Sequence, residues 1–286
     1  MRLLVVDGNS IMNRAFYGIK VLTTKSGIYT NAVYGFLNIL LRLKEMSQAE
    51  AIAVAFDLHA PTFRHKMFAD YKAGRHTMPD ELRSQMPMIK EILKSLGIKT
   101  LECEGWEADD ILGTLAQKCR ENGDLCFIAT GDRDSLQLAH GGVTVLLAHT
   151  KAGRAVTDPY DEAAIEAEYG VTPQELIQVK ALQGDSSDNI PGVAGVGAKT
   201  ALSLIRDYHN IDYIYEHLDE LEIKPGVREK LRRDKEKAYL SLDLGTIRTN
   251  APVDTNAADY VPAEKVRMRQ GFLQNMSFSA LWISLN

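Results

Sequence analysis

The chain has little with which to staple itself together. Its 286 residues include only three cysteines, Cys103, Cys119 and Cys126. The number is odd and no Cys-x-x-Cys pair occurs, which argues against both a disulfide framework and a zinc site. No apolar run approaches the roughly 20 residues a membrane span needs. Arg2 leads straight into Leu3–Val6 and then Asp7, too short a stretch for a signal peptide, so a cytoplasmic protein without membrane attachment is expected. Internal repeats, low-complexity tracts and long linkers are missing too. So is an excess of positive charge: 33 Lys and Arg face 38 Asp and Glu, a net of −5, which on its face disfavours a nucleic-acid partner. That total misleads if acids are concentrated in one metal site. Taking the nine carboxylates named below from the 38 leaves 29 against 33 basic residues, and bound cations would neutralise much of the excluded cluster.

Hydrophobic content of 45% and charged content of 25% are ordinary for a globular chain. The length suits one large α/β domain, or a core with a smaller helical appendage. Three short apolar runs, Leu3–Val6, Ala51–Phe56 and Leu125–Ala129, fit buried parallel strands, with weaker candidates at Ile98–Leu101 and Val143–Leu147. Amphipathic helical patterns at Ala32–Met46, Leu82–Leu96 and Ala108–Arg120 alternate with them. The alternation predicts a mostly parallel, doubly wound sheet. From about Tyr160 onward helical patterns continue (Glu162–Tyr169, Pro173–Leu182, Lys199–Tyr208, Val227–Leu244) without convincing strands between them. The expected division is an α/β core over 1–158 and a helical subdomain over 159–286.

Each of the three best strands ends on an aspartate: Asp7 in VVDGN, Asp57 in AFDLH and Asp132 in ATGDRD. Asp is a good turn former, and Asp-Gly-Asn is a turn signal. Three strand ends in one parallel sheet nevertheless share a rim, where ligands of such sheets collect. Glu107-Ala-Asp109-Asp110 opens the next helix. Residues two apart point away from each other on a helix, so these acids converge only if Glu107 sits at the non-helical cap. Asp134 adds another acid to that rim, and Asp185 and Asp188 in GDSSDN supply a pair from the helical half. Hard oxygen ligands without His or Cys suit Mg²⁺ or Mn²⁺ rather than zinc. Two such ions can hold a phosphodiester and activate water. Without cations the carboxylates would repel and raise one another's pKa.

The glycine-rich Gly192–Thr200 segment is neither a Walker A loop, since Ala198 separates Gly197 from Lys199, nor a dinucleotide fingerprint, since Thr200 stands where a third Gly belongs. It fits a helix–hairpin–helix at about 185–208, where backbone N–H groups and a helix N-terminus meet phosphate. A plain helix–helix turn that needs Gly for its backbone angles is the other reading. Two basic stretches complete the picture. Arg64–Arg75 carries four Lys and Arg against Asp70, and Tyr71 beside Lys72 could stack a base while the cation holds phosphate. Lys224–Lys237 carries seven basic residues against three acids and could track duplex backbone. Either stretch could equally be a solvated face.

VVDGN, Phe56-Asp57, YKAGR at 71–75, EADD at 107–110, TGDRD at 130–134 and GDSSDNIPGVAGVGAKTA at 184–201 stand in the order seen in bacterial 5′ nucleases. Over essentially its whole length the chain resembles that family: the N-terminal nuclease domain of DNA polymerase I, phage 5′ exonucleases and flap endonucleases. The resemblance implies two Mg²⁺ or Mn²⁺ sites, the first among Asp7, Asp57, Glu107, Asp109, Asp110 and Asp132, the second among Asp134, Asp185 and Asp188. It implies catalytic roles for Lys72 and Arg75 on a basic helical arch around 62–96, with Tyr71 and Arg64 among the DNA contacts. It implies a duplex grip through Gly195, Gly197, Lys199 and Thr200, with a monovalent cation such as K⁺ at the hairpin, and a place for Arg14 near the active site. Expected partners are DNA with a 5′ flap or branched end and RNA primer–DNA hybrids, handled by a monomer in the bacterial cytoplasm at the nucleoid, with a polymerase domain alongside if the sequence is an excised piece. The competing expectations are an RNA-directed nuclease of the same fold class and a non-catalytic branched-DNA-binding module.

Overall fold

The computed structural model describes residues 1–75, 77–151 and 154–262, and in it every predicted apolar run becomes a strand. These are β1 (Arg2–Asp7), β2 (Ala51–Ala55), β3 (Lys99–Leu101), β4 (Leu125–Thr130) and β5 (Val143–Lys151). A sixth, β6 (Arg154–Tyr160), has no apolar run to announce it and turns back antiparallel along β5. The strand order is β3-β2-β1-β4-β5-β6, parallel from β3 through β5. Successive residues of a strand face opposite sides, so Leu4, Val6, Ile52 and Val54 serve one core while Leu3, Val5, Ala51 and Ala53 serve the other. Burial on both faces is why these strands read as unbroken apolar runs.

The first core is covered by α1 (Gly8–Gly18), α2 (Asn31–Ser47) and the pair α4 (Asp80–Arg83) and α5 (Gln85–Ser95), which follow the short α3 (Phe63–Met67). The opposite face is covered by α6 (Ala108–Asn122). The Asp-Gly-Asn signal does not make a turn: Asp7 caps α1, its carboxylate accepting from the Ser10 N–H at 2.9 Å. Residues 133–138 form a 3₁₀ turn after β4.

Beyond β6 come α7 (Glu162–Tyr169), α8 (Pro173–Gln183), α9 (Ala198–Tyr208), α10 (Ile211–Glu216), α11 (Pro225–Arg233) and α12 (Lys235–Gly245). Val179, Leu204, Ile205, Ile214 and Leu231 form their own core. The predicted helix over 227–244 is two helices broken at Asp234, whose carboxylate leaves the helical path to accept from the Ala194 N–H of the hairpin at 3.1 Å. The expected helical subdomain over 159–286 also needs correction. After α12 the chain returns to the sheet, and Ile247, Ala251, Ala257 and Tyr260 enter the α6-side core. A Cβ on Gly113 of α6 would lie 2.7 Å from Ile247, so only glycine admits the returning chain there. Residues 263–286 of that expectation lie outside the described residues. Among the described residues no helix is long and apolar enough to cross a membrane.

Candidate metal and nucleic-acid site

Strand order decides what the sheet can present. β2, β1 and β4 are adjacent, so the aspartates at their carboxyl ends share one rim. Asp7, Asp57, Asp109, Asp132 and Glu107 line a cleft of about 350 Å³ with Asn9, Ser10, Asn13, Lys72, Arg75 and Gly131. All of these acids but Asp109 are held from behind. Asp7 accepts from the Thr130 hydroxyl at 2.9 Å as well as from Ser10. Asp57 accepts from the Ala108 N–H at 2.8 Å, and its own N–H donates to the Asn9 side chain at 3.0 Å. Asp132 accepts from the Asp134 N–H at 2.9 Å. Glu107 occupies the extended N-cap position of α6, as its spacing from Asp109 required.

These carboxylates are short of positive charge. Asp7, Asp57, Asp109 and Asp132 form no ion pair among the described residues, and the buried Asp109 Oδ1 has no hydrogen-bond partner at all. Burial, with Asp57 and Asp132 nearby, pushes Asp7 up to about 7 despite its hydrogen bonds. Burial also raises Asp57. Asp109, buried and facing Asp7, Asp132 and Asp57, is driven well above the usual carboxylate range. An unpartnered buried acceptor within an all-oxygen donor set fits a hard divalent cation.

A second group, Asp134, Asp185 and Asp188, offers ligand atoms within 4.8 Å of one another. It is built differently. The Lys180 ammonium bonds Asp134 and lies 2.7 Å from Asp185, while Arg75 bonds Asp188. Asp185 also accepts from the Ser187 hydroxyl at 2.6 Å. Partly buried, it is held at about 2 by the Lys180 and Ser187 hydrogen bonds. The more deeply buried Asp134 is pushed up to about 6 by burial and Asp132 despite the same lysine.

Three assignments fail on geometry. Asp110 is fully buried and turns away from the cleft. Its Oδ1 accepts from Arg64 at 2.9 Å and the Arg248 N–H at 2.9 Å, its Oδ2 from Arg64 at 2.7 Å and the Glu107 N–H at 3.1 Å. No oxygen is left for a metal. Arg64, 2% exposed, is the other half of that pair and donates further to the Leu244 and Thr246 carbonyls at 2.8 Å; it clamps the two halves of the chain and cannot reach DNA. Tyr71, 4% exposed, packs with Phe68, Ile190 and Leu244 and donates to Glu107 at 3.2 Å, so its ring is not free to stack a base. The expected arch around 62–96 is helical at α3, α4 and α5, but its named cations are not on those helices. Lys72 lies in a turn and Arg75 just after it, with Lys72 at φ 56° and Gly74 at φ 92°, values a right-handed helix excludes. The Lys72 N–H donates to the Asp188 carbonyl at 2.9 Å and its ammonium to Glu107 at 2.9 Å, which ties this basic turn to both acid groups.

Arg14 lines a neighbouring cleft of about 530 Å³ that shares Ser10, Asn13 and Gly131 with the acid cleft. Its guanidinium stands beside Ser10 and Gly131, and its buried Nε lacks a partner. In the hairpin Gly195, Gly197 and Lys199 are exposed and Thr200 is half-buried. Gly195 needs its φ of 80°, and nothing lies within 4 Å of where a Gly197 Cβ would point, so a ligand could approach the backbone closely there. The Ala194 and Gly195 carbonyls already accept from Arg233 at 3.2 Å and Lys230 at 3.0 Å. Residues the sequence did not single out include Asn9, hidden inside an apparent turn signal, Ser10 and Asn13 just beyond it in α1, and Lys180.

The family model for the 5'-3' exonuclease N-terminal resolvase-like domain matches residues 2–170, and that for the 5'-3' exonuclease C-terminal SAM fold matches 171–267. The chain belongs to the 5′–3′ exonuclease family. Among curated relatives of this 5′–3′ exonuclease domain, DNA polymerase I of Caldicellulosiruptor bescii is 42% identical over 259 residues, 91% of this chain and 30% of that protein. DNA polymerase I of Bacillus subtilis is 42% identical over 90% of this chain and 29% of its own length. The chain therefore spans about a third of these relatives. Among solved structures, the T5 5'-exonuclease with bound zinc has a TM-score of 0.72 at 21% identity, covering 96% of this chain and 98% of that one. The bacteriophage T5 D15 flap endonuclease with DNA and metal ions has a TM-score of 0.70 at 21% identity, covering 96% and 99%. At that identity the likeness establishes the fold.

Proposed function

We propose that this domain is a divalent-metal-dependent, structure-specific 5′ nuclease that hydrolyses phosphodiester bonds of DNA, and of RNA primers paired to DNA, at 5′ ends and flaps. The observation that carries the reading is the group Asp7, Asp57, Asp109 and Asp132: four carboxylates without an ion pair, one with a bare buried oxygen. At neutral pH such a group is costly unless cations are supplied from outside. Asp7, Asp57, Asp109 and Asp132, with Glu107 at the edge, would hold the first Mg²⁺ or Mn²⁺; Asp134, Asp185 and Asp188 would hold the second. When bound, the ions supply a polarised phosphate and an activated water.

The chain's own groups set the rest. Lys72 and Arg75 line the same cleft as the acids and would offset charge on the scissile phosphate. Arg14, with a donor to spare, would hold a neighbouring phosphate. The exposed backbone of Gly195 and Gly197, with Lys199 and Thr200 at the start of α9, suits duplex phosphates without reading bases. A K⁺ at the hairpin would have to share carbonyls with Lys230 and Arg233. On this reading the domain works as a monomer in the bacterial cytoplasm, beside a polymerase domain if the sequence is an excised piece, clearing primers and flaps during lagging-strand synthesis and repair.

The deciding experiment is cleavage of a labelled 5′-flap duplex with Mg²⁺ and after exhaustive EDTA treatment. Cutting near the flap junction only with metal is expected. Full activity in EDTA would end the metal reading.

A further inference from the structure

Lys180 is not among the residues the sequence suggested, and its position is unusual. It lies in the last turn of α8, 6% exposed, with its stem against Gly245 of α12. Its ammonium bonds two of the three carboxylates of the second group, Asp134 and Asp185. With Asp188, these two residues offer carboxylate oxygens close enough together to surround an ion. In the first group the Lys72 ammonium bonds only Glu107, at the edge, and no cation pairs with Asp7, Asp57, Asp109 or Asp132 among the described residues. Protein cations thus bond the carboxylates of one group and leave the four aspartates of the other unpaired.

We propose that Lys180 is a built-in counter-ion that makes the two metal positions unequal: the first fills readily, and the second fills only when a divalent ion displaces the Lys180 ammonium. The proposal rests on the reading of these acids as metal ligands and adds the order in which they are used. Electrostatics sets the direction. A buried ammonium close to two carboxylates already supplies much of what a divalent ion would offer, and ammonium and metal cannot occupy the same carboxylate lone pairs. Packing leaves the ammonium somewhere to go. Lys180 also lines a cleft of about 490 Å³ between the 3₁₀ turn, α8 and α9, where Gln183 offers a polar contact and Lys199 marks the way to the hairpin. Displaced into that cleft, the ammonium would lie on the hairpin side, available to a DNA phosphate. Lys180 is then a positioning residue that couples filling of the second metal site to substrate, rather than a catalytic group.

The test needs no turnover. Mn²⁺ binding to the DNA-free domain would be measured by electron paramagnetic resonance for the wild type, Lys180→Met and Lys180→Arg, and the Lys180 ¹⁵Nζ resonance would be followed during a Mg²⁺ titration. The wild type should bind one Mn²⁺ tightly and a second much more weakly, with the ¹⁵Nζ signal moving only in the weak step. Lys180→Met should tighten the second site by roughly tenfold or more, since one unit charge at contact distance is removed, while Lys180→Arg should keep it weak. Two equal sites in the wild type, or a ¹⁵Nζ signal indifferent to Mg²⁺, would overturn the inference and leave the metal reading standing. No Mn²⁺ at either group would instead remove the metal reading itself. If Lys180→Met does not fold by circular dichroism, Lys180→Gln and the wild-type resonance carry the same decision.

Discussion

The two acid groups of the candidate site solve the same electrostatic problem in opposite ways. Around Asp109 four carboxylates meet with no ion pair and with one bare buried oxygen. Around Asp185 three carboxylates meet two protein cations, Lys180 and Arg75. The first arrangement is costly without metal and the second is not. A sequence shows nine acids; it does not show which of them are already neutralised, and that difference sets how each group responds to substitution, pH and metal.

The largest expected effect separates the groups from the acid that belongs to neither. Asp109→Asn should lower single-turnover flap cleavage by ~10³ or more, in the range seen when a group stabilising transition-state charge is lost. Asp110→Asn should leave the first Mn²⁺ affinity unchanged while unfolding free energy drops by about 3–5 kcal/mol, the usual result of stripping one partner from a buried ion pair. Urea unfolding and Mn²⁺ titration on the same samples check both. An Asp110→Asn protein of normal stability that no longer binds metal would break the assignment.

Metal-free stability should then move in opposite directions. Removing charge from the uncompensated group relieves repulsion, so Asp109→Asn should melt higher in EDTA by roughly 2–4 °C. Asp185→Asn should melt lower in EDTA, because Lys180 loses a charged partner. Differential scanning calorimetry reads both, and a common sign for the two variants would erase the contrast.

The smallest effect is in pH. Asp7, Asp57 and Asp109 have folded pKa values raised above their ordinary range. Their proton therefore stabilises the fold: the contribution is complete below about pH 4, the ordinary carboxylate range, and is lost as pH rises through about 7 for Asp7. Asp185, depressed to about 2, contributes stability that is present above pH 4 and lost only in strong acid. The metal-free protein should accordingly melt at a lower temperature at pH 7.5 than at pH 5.5, and saturating Mg²⁺ should shrink that gap. An unchanged gap with Mg²⁺ would mean the raised acids are not where the metal binds.

How much of this could be read from the chain depended on range. Asp7, Asp57 and Asp132 were legible because each follows an apolar run, and the sheet's regularity converts that into a shared rim. Glu107 was legible because helix geometry left it one way to join Asp109. Asp110 looked equivalent to its neighbour, yet one residue along a helix is a rotation of about 100°, enough to aim it at Arg64. Arg64 itself resembled a surface cation because the carbonyls that bury it, those of Leu244 and Thr246, lie 180 and 182 residues away. Tyr71 was misread for the same reason, its pocket being made by Ile190 and Leu244. β6 was missed because an edge strand needs no apolar run. Lys180 was missed because one lysine in a helix carries no local signal until the fold brings Asp134 to it.

The return of residues 247–260 to the sheet has a consequence for how the protein is made. Those residues complete the α6-side core, and Arg248, with Leu244 and Thr246 just before the segment, closes the Arg64–Asp110 clamp. A nascent chain that has emerged only to residue 170, where the first family model ends, exposes a cavity that later residues must fill. At elongation rates of about 5–20 residues per second, the interval until residue 260 appears is roughly 5–18 seconds. The nuclease core therefore waits, apolar face open, for the far end of its own chain, and ribosome-bound intermediates of that length are where chaperone contact and misassembly should concentrate.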